Sequence, residues 1–323
     1  MLIKSICNVK KIINLVFASF FLSCTAVGGG GDDIVPPEHA EFNNYWYSGK
    51  AELTRYKLQQ ARYGEIHEGD AVLIFVTEDF LPNKQVKYEY GDRPKNAESV
   101  LKLNLTRSFN TGIYPYSMIS SIFTPVATGK KTLKVATSSQ EWCGHTYSQL
   151  NLRNGEYKGM LHSYFQAEAD QEFTVDAVLL EDEIWTKIRL NPAGLPTGEI
   201  KLIPGSQFLR LRHRDFSVEN ATAELKTVTK PELSSGPLKV YRVNYHDISR
   251  TLKITFEAEF PYTIVVWEEQ AKSGFRNPQM LTTRAVRTHS INSDYWNKNS
   301  VADTSLQKLS LIHISEPTRL HCI

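Results

Sequence analysis

From residue 45 to residue 308, apolar and polar positions alternate with a period of two in one short run after another. Leu101, Leu103 and Leu105 alternate with Lys102, Asn104 and Thr106, which in an extended chain sends the leucines to one face and the polar groups to the other. Similar runs cover residues 71–77, 132–137, 172–177, 238–245, 252–256 and 263–267. Between them stand turn signals such as Glu68-Gly69-Asp70, Asn154-Gly155 and Pro204-Gly205. A four-residue spacing, Leu180, Ile184 and Ile188 with Trp185 beside them, predicts a helix over 180–188 that stops before Asn191-Pro192. A second, short helix is expected over 303–308. Strands at hairpin spacing without crossover helices predict a mainly β fold: one large antiparallel sheet, as a curved sheet, open barrel or sandwich, with one or two short helices.

The ends of the chain break this pattern. Lys4, Lys10 and Lys11 precede an apolar run from Ile12 to Leu22 and a small residue, Ser23, the three parts of a cleaved secretory signal. The run is shorter than the roughly 20 residues that span a bilayer. Leu22-Ser23-Cys24 resembles the lipobox of bacterial lipoproteins, although Phe21 and Leu22 are bulkier than is usual there. The resemblance implies a lipidated Cys24 and an address in the cell envelope, in the outer membrane, since acyl chains on one cysteine suffice for stable anchoring. Residues 24–44, with Gly28 to Gly31 and Pro36-Pro37, then read as a tether. At the other end, Leu309 to Arg319 matches what a sequencing-library adapter encodes. Residues 309–323 are therefore set apart from the native chain, and His313, His321 and Cys322 from any site. The expected organisation is a signal peptide (1–23), anchor and tether (24–44), a β-rich body (45–308) and the adapter-derived tail (309–323).

Charge changes meaning once the ends are removed. The chain holds 37 basic and 35 acidic residues. Without Lys4, Lys10, Lys11, Arg319 and Glu316 they number 33 and 34, a formal charge of −1. No basic excess is left to suggest a nucleic-acid partner. With Cys7 in the signal and Cys24 carrying lipid, Cys143 is the one thiol of the body, so disulfides are not expected.

Glu141-Trp142-Cys143-Gly144-His145 is the window where that thiol could do chemistry. On a strand, Glu141, Cys143 and His145 would share a face, with a carboxylate to orient an imidazole and an imidazole to activate a thiol. Same-face neighbours on one strand sit nearly 7 Å apart, so catalysis would need a bulge at Gly144 or a base from another strand. The plainer reading is a polar face of a sheet around a buried cysteine. A metal site is not expected, because no second cluster with ligand spacing accompanies these residues. Arg210, Arg212 and Arg214 alternate with Leu209, Leu211 and His213, and on a strand would form a row of guanidiniums for phosphate or carboxylate; otherwise they are a solvated face. Tyr45-Trp46-Tyr47 and Tyr114-Pro115-Tyr116 would serve a ligand surface or the core. Phosphate-loop, dinucleotide, nucleophile-elbow and zinc-protease motifs are missing, and no cofactor is expected.

Tyr45 to Glu52, Gly112 to Tyr116, Glu141 to His145, and the stretch from Leu281-Thr282-Thr283 to Asp294-Tyr295-Trp296 resemble a family of uncharacterised bacterial lipoproteins often labelled septum formation inhibitor Maf. The phosphate loop of Maf pyrophosphatases has no counterpart here, so the resemblance implies a lipoprotein and carries over no catalytic residue.

Three functions follow as expectations. The first is a non-catalytic envelope lipoprotein, held at the membrane by lipid, that binds an apolar or amphipathic ligand such as a lipid or another envelope component. The second is a thiol-dependent hydrolase or transferase using Cys143 and His145. The third is a structural assembly partner, which would expose a large apolar patch.

Overall fold

A computed structural model describes residues 39–305. The signal, Cys24, the tether as far as residue 38, residues 306–308 of the expected second helix and the adapter-derived tail lie outside the described residues.

Alternation dominates what is described. The chain opens on a short helix, α1 (His39–Trp46), and then runs through β1 (Ala51–Arg62), β2 (Glu65–Leu81), a two-residue β3 (Val86–Lys87), β4 (Glu98–Thr111), β5 (Tyr114–Pro125), β6 (Lys134–Glu141), β7 (Gly144–Arg153), β8 (Glu156–Ser163) and β9 (Gln171–Asp176). After β10 (Leu179–Leu180) come α2 (Glu181–Leu190), β11 (Gly198–Ile203), α3 (Ser206–Arg212), β12 (Glu219–Val228), β13 (Leu238–Tyr245), β14 (Arg250–Glu257), β15 (Ile264–Ser273) and β16 (Gln279–Ser293). All sixteen strands belong to one sheet, ordered β10-β11-β12-β13-β14-β15-β16-β1-β2-β4-β5-β6-β7-β8-β9, with β3 beside β2. Among the described strands only β10 and β11 pair in parallel.

The sheet is thus two meanders, β1 to β9 and β11 to β16, joined where β1 lies antiparallel to β16. Its ladder is not closed. The two outermost strands, β9 and β10, are nevertheless separated only by Ala177 and Val178, so one stretch of chain carries both edges. Leu101, Leu103 and Leu105 of β4 are buried on the inner face, as their period predicts.

What the sheet curves around is α2. Eight of its ten residues are buried, among them Glu181, Asp182, Glu183 and Arg189, and it reaches strands on opposite sides of the molecule. Trp185 packs edge-on against Trp267 of β15, while the Thr186 hydroxyl lies 2.6 Å from that of Thr124 at the end of β5. Acids in its first turn and Lys187 and Arg189 in its last complement the helix dipole, and Glu183 Oε1 accepts a hydrogen bond from the Leu180 amide. The helix expected over 180–188 is therefore present and lies at the centre.

Four local expectations need correction. The tether was expected to reach residue 44, but α1 occupies His39–Trp46 and buries Trp46 against Phe75. Glu68-Gly69-Asp70 makes no turn; it runs inside β2 opposite Phe109 and Ser108. Gly69 is there for clearance, since a Cβ would meet the Ser108 carbonyl oxygen at 2.3 Å, and the turn falls at Tyr63-Gly64. Residues 206–212 form α3 rather than a strand. Finally, Glu141 to His145 is a hairpin and not one strand.

Candidate functional site

Antiparallel order puts every second hairpin at the same end of a meander. In ladder order the connections β15/β16, β1/β2, β4/β5, β6/β7 and β8/β9 lie side by side along one rim. Four of them raise a large apolar side chain into solvent: Phe275 is 80% exposed, Ile113 88%, Trp142 70% and Tyr164 80%. The fifth, β1/β2, contributes Tyr63, whose ring stacks on Phe275 at 5.4 Å. Tyr114 links the next tips, stacking on Trp142 at 6.3 Å and donating its hydroxyl to that of Tyr63 at 3.2 Å. Beyond Trp142, Gly144 leaves room for Tyr164 and Phe165, which would meet a Cβ there at 3.1 to 3.3 Å. Large apolar groups in water are informative when they stand together.

α3 lies across the interior at this rim. It is short and begins without a side-chain cap after Pro204-Gly205, and it stops at His213 in the left-handed conformation (φ 51°). Phe208, Leu209 and Leu211 are buried. Its end is tied to two tips, because Arg62 donates to the Leu211 carbonyl and Arg210 makes two 2.8 Å hydrogen bonds to Glu168 in the β8/β9 loop. His213 joins the same carboxylate at 2.7 Å. Burial opposes ionisation of Glu168, but the Ser163 hydroxyl, Arg210 and His213 together hold its pKa below the usual carboxylate range.

Beneath α3 runs a buried chain of charges. Arg250 binds Glu181 through both terminal nitrogens, one at 2.7 Å, and reaches Glu269 at 3.3 Å. Arg107 binds the other oxygen of Glu269, and the Tyr245 hydroxyl donates to Glu181. Desolvation works against the charge on Glu269, yet Arg107 and Arg250 outweigh it and lower its pKa. Asp182 lies alongside, accepting from the Ser206 amide at 3.0 Å and the Ser206 hydroxyl at 2.5 Å. For Asp182 burial wins, pushing the pKa up to about 6.

The residues singled out from sequence are scattered by this architecture. Arg210 and Arg212 sit on α3 and Arg214 follows its cap, so no row of guanidiniums exists: Arg210 is held by Glu168, and Arg214 reaches Glu219 at 3.4 Å. Of the three, only Arg212 has no hydrogen bond or ion pair among the described residues. In the hairpin, Glu141 ends β6 with its side chain buried, whereas His145 is exposed on β7 opposite Gln140. Cys143 is not buried in a sheet face as the plainer reading expected but exposed in the turn between them, its amide donating to Glu141 at 2.7 Å. The thiol's hydrogen bond to the Glu141 carboxylate, then desolvation, raise its pKa, the reverse of what a nucleophile requires. Tyr114 belongs to the rim and Tyr116 is buried just beneath it, while Trp46 also belongs to the core. Among the described residues no group of three or more His, Cys, Asp or Glu side chains is placed to hold a metal ion.

Sequence reasoning missed Arg62, Arg107 and Arg250, single arginines in otherwise ordinary strands. It also missed the exposed tips, whose signal is an apolar or aromatic residue beside each of five turns. No family model, curated protein or solved structure matches the chain.

Proposed function

We propose that this protein is an envelope lipoprotein, held in the outer membrane through Cys24, whose β body performs no covalent chemistry and binds an amphipathic ligand at the rim. The observation that carries the reading is the series of neighbouring tips with Phe275, Tyr63, Ile113, Trp142 and Tyr164 at one end of the sheet. Aromatic rings with a polar edge suit a ligand that is apolar along most of its length. The rim also lies at the end of β1 away from α1, so it is opposite the place where the tether would enter. The interior is filled by α2 and its partners, which moves the binding surface from the hollow of the sheet to its rim. The unactivated Cys143, with Glu141 and His145 directed to different faces, gives the thiol-enzyme reading no support. An assembly partner would use the same exposed surface, and the test separates the two.

The mature chain carrying Cys24→Ser, and so no acyl anchor, is titrated with the uncharged fluorophore N-phenyl-1-naphthylamine. Saturable enhancement is expected, weakened at least about tenfold when Ile113, Trp142 and Phe275 are all changed to Ser, since each buried apolar side chain is worth about 1.5–3 kcal/mol. Absence of saturable binding to the parent chain, with a rim-dependent dimer in its place, would favour assembly and sink the ligand reading.

A further inference from the structure

The charges under α3 do not balance locally. Four guanidiniums gather there, on Arg62, Arg107, Arg212 and Arg250. Arg107 and Arg250 share Glu269, and Arg250 also takes Glu181. Asp182 is held by Ser206, and Glu168, at the edge of α3, by Arg210 and His213. Among the described residues, Arg62 and Arg212 are therefore left without a hydrogen-bonded carboxylate.

Arg62 is only 5% exposed. Its terminal nitrogens donate to the Leu211 carbonyl and to the hydroxyls of Tyr63 and Tyr116, and its Nε is buried with no acceptor. Arg212, half-buried, makes no hydrogen bond or ion pair among the described residues. Burial disfavours its charge first, the neighbouring Arg62 and Arg250 disfavour it further, and the attraction of Glu269 offsets this only in part. A desolvated guanidinium is unfavourable unless it is paired, and here two stand together. Their surroundings are aromatic: the Arg62 guanidinium lies over the Tyr63 ring at 4.2 Å, and Tyr63 stacks on the exposed Phe275. Positive charge without a directly paired counter-ion thus borders the rim where apolar side chains reach into water. An oxyanion between the two arginines would supply the missing acceptors, and guanidinium forks match carboxylate and phosphate oxygens.

We propose that Arg62 and Arg212 seat the oxyanion, a carboxylate or phosphate monoester, of an anionic amphiphile whose apolar chain lies along Tyr63, Phe275 and the neighbouring tips. This rests on the amphiphile-binding reading above and gives that ligand its headgroup.

Calorimetric titration of the mature Cys24→Ser chain with decyl phosphate, decanol and inorganic phosphate tests it, alongside Arg212→Met. The variant removes no hydrogen bond and keeps the apolar stem, so it is expected to fold as the parent does. Decyl phosphate is expected to bind at least tenfold more tightly than decanol, and Arg212→Met to erase that preference while leaving decanol binding unchanged. Equal affinity for the two amphiphiles in the parent overturns the headgroup assignment and leaves the amphiphile reading standing. Failure of both to bind overturns the two together. Inorganic phosphate binding as tightly as decyl phosphate overturns the amphiphile in favour of a free anion.

Discussion

Arg189 on α2 grips Glu52 on β1 with both terminal nitrogens, each 2.5 Å from a different carboxylate oxygen, and both side chains are 1% exposed. The Tyr45 hydroxyl also donates to this carboxylate, and Arg189 Nε donates to the Pro261 carbonyl at 2.8 Å. One ion pair thereby ties the central helix to the strand on which the two meanders meet. Burial opposes the charge on Glu52, but the Arg189 guanidinium beside it prevails and lowers the pKa. Burial and then the same carboxylate push Tyr45 up to about 12.

Removing one member of this pair strands the other. Glu52→Gln or Arg189→Met is expected to cost about 3–5 kcal/mol, and Glu52→Leu with Arg189→Met together less than either alone, as read from urea unfolding. Because the folded pKa of Glu52 is lowered, its stabilisation is present above the unfolded carboxylate value and fades as pH falls through the folded one. The acid sensitivity of the parent should accordingly shrink in Glu52→Gln.

Asp182 works in the opposite sense. Its pKa rises from 3.8 to about 6 on folding, so the folded state holds the proton more tightly. Stability associated with this group is full below pH 3.8 and is lost as pH rises through about 6. At about 1.36 kcal/mol per unit the loss is on the order of 3 kcal/mol. Asp182→Asn should remove that slope, so the stability difference between parent and variant changes between pH 4 and pH 7 by roughly this amount. Parallel profiles for the two proteins would contradict the assignment.

Cys143 is accessible but not activated. Iodoacetamide at pH 7.5 is expected to label it to completion, at a slower rate than free cysteine. Glu141→Gln removes the carboxylate that raises the thiol and should speed labelling. Cys143→Ser should leave amphiphile binding unchanged. A parent rate above that of free cysteine would restore the catalytic reading.

The parts of the fold visible in sequence are those with one buried face. β4 is legible because Leu101, Leu103 and Leu105 must all point inward, and α2 because Ile184 and Ile188 recur one turn apart. α3 is misleading for a physical reason: it spans less than two full turns, and over so short a window Leu209-Arg210-Leu211-Arg212 fits a period of two as well as a helical one. The turn at Trp142-Cys143 has no Gly or Asn at its centre and so gives no turn signal, while Gly69 supplies one where the real requirement is close approach to the Ser108 carbonyl. The guanidinium cluster is illegible because Arg62, Arg107, Arg212 and Arg250 come from four separate elements, with only curvature of the sheet to bring them together.

The seam between β1 and β16 has a consequence for how the molecule assembles. Thr54 and Ser290, whose hydroxyls meet at 2.8 Å across it, are 236 residues apart in the chain. Nearly every other strand pairs with a neighbour a short hairpin away, so each meander closes small loops and zips quickly. During synthesis β1 to β9 emerge first, and the free edge of β1 waits until the last strand has been made. An unpaired edge of twelve residues is a template for another chain. β16 therefore acts as the latch of the whole sheet, and the interval before it docks is when the protein most depends on being kept apart from its own kind.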